Sequence, residues 1–279
     1  MSSRRHDHVF IAACLAVGAA SGLSAQKLKP EEVVKRHMEQ TFPAPAPESG
    51  RNASGSCRAS SMGGRGEVEG AFELKTTTDN GRFDLRFGIP TYEGESIVFD
   101  GKGVDVAFAQ RRTSTRSALG SFLSTYALIV SDGLFGGVLN RRWPLRDAQA
   151  REINLSSDGL KKLDGRELHR LRYRVPRSQG DLTIHLYFEP ETFRHVASVY
   201  EASRSQNATE LQPTAQQADE RFTVLEKFSE FETTPAGTVP KAWAIHYART
   251  GGRTDQWKYE CKLQSVATGS PATESKGQG

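Results

Sequence analysis

Cysteine, long apolar runs and concentrated charge are all scarce in this chain, and each scarcity removes a class of protein. Three cysteines in 279 residues, at positions 14, 57 and 261, are too few for a disulfide-dense scaffold. No segment reaches the roughly 20 apolar residues that a membrane-spanning helix needs. Charge is nearly balanced, with 37 Lys+Arg against 33 Asp+Glu for a net +4 and no dense basic run, so nucleic acid is not expected as a partner. Nucleotide-binding signatures fail as well. Gly63-Gly64-Arg65-Gly66 lacks the third required glycine and follows no strand, and no glycine-rich loop ends in Gly-Lys-Ser/Thr. There is no Gly-x-Ser-x-Gly elbow to supply a hydrolase nucleophile. His169, His185, His195 and His246 are scattered over strands and corners and read as surface histidines, since a metal needs several donors converging on one point. No cofactor, metal or catalytic group is expected.

What the chain does have is alternation. Leu171, Tyr173 and Val175 alternate with Arg170, Arg172 and Arg174, and Leu182, Ile184, Leu186 and Phe188 repeat the period after a turn-rich connector. Glu189-Pro190-Glu191-Thr192 makes the next corner, and a return strand begins at Val196. Residues 162–200 are thus expected to form an antiparallel meander with one face for a core or cavity and the other for water. The outward arginines, Arg166 to Arg177, read as a solubilising sheet face, with an acidic partner as the rival reading. Earlier in the chain, Asp79-Asn80-Gly81 and Asp100-Gly101-Lys102-Gly103 mark hairpins between strands carrying Phe72, Leu74, Phe83, Leu85, Phe87, Val104 and Val106. Later strands are expected over Phe222 to Phe231 and around Trp243, Tyr247, Trp257 and Tyr259.

Residues 116–140 break the two-residue period. Leu119, Phe122, Leu123, Tyr126, Ile129 and Leu134 recur at spacings of three and four, divided by Gly133, Gly136 and Gly137. The block is most simply read as short helices laid across the concave face of the sheet. A helix is also expected within 26–42, started by Pro30 with Glu31 and Glu32 in its first turn and Val33, Val34, His37 and Met38 on its buried stripe. Residues 43–60 read as a proline-, glycine- and serine-rich connector, residues 203–220 as a solvated loop, 61–265 as one domain, and 266–279 as a disordered tail.

The amino terminus reads as an address. Arg4 and Arg5 precede an apolar, small-residue stretch, and Ser24-Ala25-Gln26 offers cleavage after Ala25, the pattern of a secretory signal over residues 1–25. Ile11-Ala12-Ala13-Cys14 resembles a lipobox, but too few apolar residues precede Cys14, so a lipid anchor is not expected. A mature exported chain would keep Cys57 and Cys261, an even pair that invites a disulfide, two unpaired thiols being the alternative.

The aromatic inventory could be plain core. It could instead line an apolar cavity beneath a glycine-broken lid, with Phe122, Tyr126, Phe135, Tyr173, Phe188 and Trp243 as the lining. Taken in order, the signal, the short helix, the Asp100-Gly101-Lys102 hairpin, the glycine-containing apolar helices, the Asp164-Gly165-Arg166 hairpin leading to Leu186-Tyr187-Phe188-Glu189-Pro190-Glu191-Thr192-Phe193, then Phe228-Ser229-Glu230-Phe231 and Gly237-x-x-Pro240 resemble the LolA-like superfamily of outer-membrane lipoprotein-sorting proteins. That resemblance implies an α+β, mainly antiparallel half-barrel: a strongly curved, unclosed sheet with helices plugging its concave face. It also implies an acyl chain, lipid or lipoprotein as partner, transient proximity to a membrane, a monomer, and a periplasmic or secreted address. The chain departs from the dedicated carriers in its length and in its proline-rich connector, and the carriers' cavity arginine has no evident match. Two other readings stand beside the carrier: a dry-cored interaction module of the cell envelope, and an enzyme whose polar cluster the spacing does not reveal.

Overall fold

The computed structural model describes residues 27–42, 50–62, 66–89, 92–108, 117–175, 180–204, 219–234, 237–251 and 254–268. Its first element is helix α1 (Pro30–Thr41), begun by proline, whose missing N–H is one the first turn leaves unbonded anyway. Val33, His37 and Thr41, four apart, form its buried face, and Arg36 pairs with Glu32 at 2.7 Å on the wet side. Five strands follow: β1 (Gly50–Ser61), β2 (Val68–Thr77), β3 (Gly81–Ile89), β4 (Tyr92–Phe99) and β5 (Val104–Phe108). Then come α2 (Ala118–Thr125), α3 (Leu128–Ser131) and two 3-10 turns, Gly137–Leu139 and Pro144–Asp147. Seven strands complete the described chain: β6 (Leu155–Leu163), β7 (Arg166–Tyr173), β8 (Thr183–Phe188), β9 (His195–Arg204), β10 (Glu220–Thr234), β11 (Gly237–Thr250) and β12 (Asp255–Thr268).

These form one 12-stranded sheet in the order β5-β4-β3-β2-β1-β12-β11-β10-β9-β8-β7-β6, antiparallel throughout and not closed. Two sequential meanders therefore meet at a single seam, β1 against β12, while the helical segment joins the two outer edges, β5 and β6. The architecture is the unclosed, mainly antiparallel half-barrel expected, with its short helices inside the bowl.

The turn chemistry follows the sequence closely. Between β2 and β3 the Thr77 hydroxyl accepts from the amides of Asp79 and Asn80, at 3.3 and 3.1 Å. Between β4 and β5 the Asp100 carboxylate accepts from the amides of Lys102 and Gly103, both at 2.9 Å, and Gly101 takes the left-handed backbone conformation.

Several expectations need correction. The stretch 43–60 is not all connector, because Gly50–Ser61 is β1, in the middle of the sheet. Its inward residues are Arg51 and then Ala53, Gly55, Cys57 and Ala59, small residues that carry no obvious apolar stripe. Strand β12 runs to Thr268, into the segment read as a tail. His185 and His195 are buried, at 7% and 1% exposure, rather than on the surface. The strand-face arginines do read as a sheet surface: Arg170 reaches Asp158 of β6 at 2.9 Å, and Arg166 reaches Glu189 at 2.5 Å. The signal 1–25, most of the loop 203–220, Arg177 and the remainder of the tail lie outside the described residues.

One core fills the bowl. Phe72, Leu74, Phe83, Leu85, Leu171, Ile184, Phe188, Phe228, Trp243, Ile245 and Tyr259 from the strands pack with Leu119, Phe122, Leu123, Ile129, Leu134, Phe135, Val138, Leu139, Trp143 and Leu145 from the helical segment. Each such side chain contributes roughly 1.5–3 kcal/mol by leaving water. A smaller cluster, Leu168, Tyr187, Val196, Ala197 and Val199, sits on the opposite face of β7–β9.

Candidate functional site

The site is the concave face and the plug that covers it, the segment from α2 to the 3-10 turn Pro144–Asp147. The plug is short helices jointed by glycine, and hydrogen bonds seat it at several places, among them the Arg141 amide on Thr76 Oγ1 at 2.8 Å and the three that follow. The Gly136 amide donates to Glu226 Oε1 at 2.8 Å, Arg51 Nη1 donates to the Val138 carbonyl at 2.7 Å, and Trp143 Nε1 donates to His37 Nε2 at 3.1 Å.

Glycine is required at the turn. Gly136 and Gly137 have φ of 84° and 51°. A Cβ on Gly137 would stand 2.9 Å from both His195 Nδ1 and Phe228 Cζ. Both objections apply to Gly137→Ala, since the left-handed conformation alone costs about 1–2 kcal/mol for an L-residue. The variant is expected to lose at least about 2 kcal/mol in a urea titration; an unchanged midpoint would show that the turn does not press on the sheet.

Beneath the turn runs a string of buried polar groups. Glu226, fully buried on β10, also accepts from Trp243 Nε1 at 2.9 Å and from the Tyr200 hydroxyl at 2.7 Å. Burial pushes its carboxyl up to about 7, although the donors on Tyr200, Gly136 and Trp243 pull it down. Burial, followed by the neighbouring Glu226, drives the Tyr200 hydroxyl well above its ordinary value. His195 approaches Ser198 Oγ at 3.1 Å, and burial holds its imidazole well below the ordinary value. His37 is lowered to about 4 by burial, with the Phe193 carbonyl opposing and the Arg146 charge adding to the fall. The His195–Ser198 pair has the spacing of a base and a nucleophile, but both residues are sealed under the plug, at 1% and 0% exposure. In this arrangement they are structural groups.

The six aromatic residues expected to line a cavity fall at four places. Phe135 and Trp243 meet at the centre, 5.4 Å apart, with Phe83 at 5.1 and 5.2 Å from them. Phe188 lies against His37 and His195, at 5.1 and 5.4 Å. Tyr173 donates to Asp132 of the plug at 2.6 Å. Phe122 and Tyr126, 4.9 Å apart, stand at the rim. These side chains pack on one another and on the plug.

Open volume lies at both ends of the plug. A hollow of about 350 Å³ at the α2 end is walled by Phe122, Phe222 and Tyr247 and edged by Arg204, Arg249, Glu220 and Asp255. At the other end, a groove of about 510 Å³ runs between α1 and the start of β6, walled by Val34, Leu145, Ile153 and Leu155, with Lys35 and Arg146 beside them. A further opening, about 800 Å³, is a charged trough on the outer side of β1, β12, β11 and β10, where Arg58, Lys258 and Lys262 alternate with the inward residues. Its mixed charges make it a solvated surface.

The residues that sequence reasoning missed are Arg51, Glu226 and His195, and for the first two a signal existed. Glu226 is a lone acid in the inward run Val224-x-Glu226-x-Phe228, and Arg51 heads the alternating small residues of β1. Among the described residues, no group of three or more His, Cys, Asp or Glu is gathered to hold a metal, and no helix is long and apolar enough to cross a membrane.

Fold and site together define an open antiparallel half-barrel whose concave face is closed by a helical plug. No family model matches the chain, and no curated protein matches it. Solved structures with a similar arrangement include a LolA superfamily protein from Nitrosomonas europaea, at 10% identity and TM-score 0.47 over 86% of this chain and 94% of that one. A structure described as an outer membrane lipoprotein-sorting protein domain from Vibrio parahaemolyticus is 9% identical, with TM-score 0.46 over 87% and 93%. A DUF1329 family protein from Desulfovibrio piger is 8% identical, with TM-score 0.40 over 87% and 93%. The first two bear names from the group that the sequence resembles. At TM-scores of this size the likeness extends to the arrangement of elements and to nothing about ligand or activity.

Proposed function

We propose that this protein is an exported, non-catalytic carrier that holds an acyl chain or another slender apolar molecule between its plug and its concave face. One observation carries the reading. The apolar bowl is covered by a glycine-jointed plug seated through a handful of hydrogen bonds, with a partly apolar hollow at each end where a guest could begin to enter. Burial of each methylene stabilises a bound chain by about 0.8 kcal/mol, so affinity needs no elaborate polar recognition. In this reading Phe122 and Tyr126 meet the guest first, and Phe135, Tyr173, Phe188 and Trp243 line its path once the plug shifts. Residues 1–25 direct export, and the mature protein works as a monomer with passing contact to a membrane.

A second reading is favoured by the close packing of Phe135 against Phe83 and Trp243, which makes the interior as seen a dry core and the protein an interaction module of the envelope. Native mass spectrometry of delipidated protein given palmitate separates the two. The carrier takes up one acyl chain and loses affinity at least tenfold in Tyr126→Glu, a half-buried rim position. Absence of any uptake, in a sample shown to be folded, would leave the dry core standing.

A further inference from the structure

Where α1 meets the plug, His37 is, among the described residues, the one link made by a side chain that can change its charge near the pH range of living compartments. Its two nitrogens are both committed. Nδ1 lies 2.9 Å from the Phe193 carbonyl, which can only accept, so Nδ1 carries the hydrogen. Nε2 lies 3.1 Å from the Trp143 indole nitrogen, which can only donate, so Nε2 is bare. Only the neutral Nδ1–H tautomer satisfies both partners. Adding a proton places an N–H on Nε2 against the N–H of Trp143, donor facing donor.

We propose that the His37–Trp143 contact is an acid-released catch: protonation of His37 breaks the hydrogen bond that, beside the stacking of Arg146 on Phe42, ties the later half of the plug to α1, and the plug swings off the concave face. This holds whatever the guest, and it holds for a protein that carries none.

The surroundings favour release over accommodation of the charge. Arg146, on the turn after Trp143, acts on His37 with a like charge. From β9, His195 stands 6.4 Å from the His37 ring and 4.5 Å from the Trp143 ring. Phe188 covers it from β8 at 5.1 Å. Beyond Phe193 lie Arg36, on the same helix, and His169 of β7, each stacked on the Phe193 ring. Of its neighbours, only the Phe193 carbonyl and Thr41 Oγ1, the latter at 3.2 Å, can stabilise an imidazolium. Glu226, the nearest carboxylate along the polar string, is separated from His195 by Ser198 and Tyr200 and is already bonded to Tyr200, Trp243 and Gly136.

The sign follows from linkage. A histidine held at about 4 when seated, against 6.5 when free, stabilises the seated plug fully above pH 6.5 and loses that contribution as pH falls toward 4. From pH 7.5 to pH 5 the opening constant gains a factor of roughly 25 from this residue alone. Glu226 pulls in the opposite direction, so the readout is a comparison with His37→Gln, whose amide oxygen still accepts from Trp143 but does not titrate.

Native-state hydrogen exchange on the full chain reads the opening. The amides of Asn140 and Trp143, bonded to the carbonyls of Gly137 and Asn140 at 3.0 and 3.1 Å, report the plug, and amides of β11 report global unfolding. The ratio of wild-type to His37→Gln opening constants is expected to rise about 25-fold between pH 7.5 and pH 5, with β11 protected throughout. A ratio that stays flat, or plug amides that exchange only together with β11, overturns the proposal. Should His37→Gln fail to fold, nitrogen NMR of the wild-type imidazole decides. The Nδ1–H tautomer at pH 6, protonated only as the plug opens, supports the catch. An imidazolium coexisting with a seated plug refutes it.

Discussion

Reducing the bridge between Cys57 and Cys261 is expected to lower the unfolding free energy by about 5 kcal/mol, the largest single effect anticipated for this protein. The two sulfurs are bonded across β1 and β12 at a sequence separation of 204. Loop-closure entropy grows with the logarithm of loop length, so a crosslink of this span restricts the unfolded chain strongly. Its position adds to its importance. Cys57 sits opposite Cys261 in the one strand pair that joins the two meanders, and both residues are buried, at 1% and 2% exposure. Urea unfolding with and without reductant, and of the Cys57→Ala/Cys261→Ala pair, measures the loss. The m-value should also rise, because the freed denatured chain exposes more surface. A loss under about 1 kcal/mol would mean that the ladder of β1 on β12 holds the seam unaided.

Glu226→Gln should stabilise the protein in alkaline solution while leaving it near neutral effect in acid. The carboxyl is raised from 4.5 to about 7 by burial, so its contribution is complete below about pH 4.5 and is lost as pH climbs through 7. At 1.36 kcal/mol per pKa unit, the full span is about 3 kcal/mol. Glutamine keeps an oxygen for the Gly136 and Trp243 donors and never ionises. The difference between variant and wild type should therefore grow in the variant's favour by roughly 2–3 kcal/mol from pH 5 to pH 8. Taking the difference cancels the histidines, whose contributions run the other way. A constant difference across that range would place the ionised carboxylate comfortably in its three-donor nest.

The sheet was largely legible in the sequence because its strands carry large side chains on a period of two. Leu182 to Phe188 and Phe83 to Phe87 could hardly be anything else, and the Asp-Asn-Gly and Asp-Gly corners told where they turn. The plug was legible through the change of period and its glycines. Strand β1 escaped because its inward residues are Ala53, Gly55, Cys57 and Ala59, too small to register as an apolar stripe. At Gly55 the reason is steric: a Cβ there would fall 1.9 Å from the Lys262 carbonyl oxygen, at a register shift between β1 and β12. His37 was assigned to the buried stripe of α1, where it lies. His195 was not, because a bulge between β8 and β9 places Phe188 opposite His195 but Tyr187 opposite Ala197. That extra residue turns His195 inward, and local alternation has no means of announcing a bulge. The role of Glu226 does not stand out in the sequence, because it rests on three donors, from β9, β11 and the plug, that only the fold brings together.

The plug is spliced into the chain between the two outermost strands, so it is a resident that, even if displaced, could never diffuse away. Anything entering the bowl competes with an occupant whose effective concentration, set by its own short tethers, is of millimolar order or above. Observed affinity is then the intrinsic affinity scaled by the fraction of molecules with the resident displaced. If the protein is a carrier, the contacts of Gly136, Val138 and Trp143 that seat the resident would set how tightly a guest is held and how readily it is surrendered.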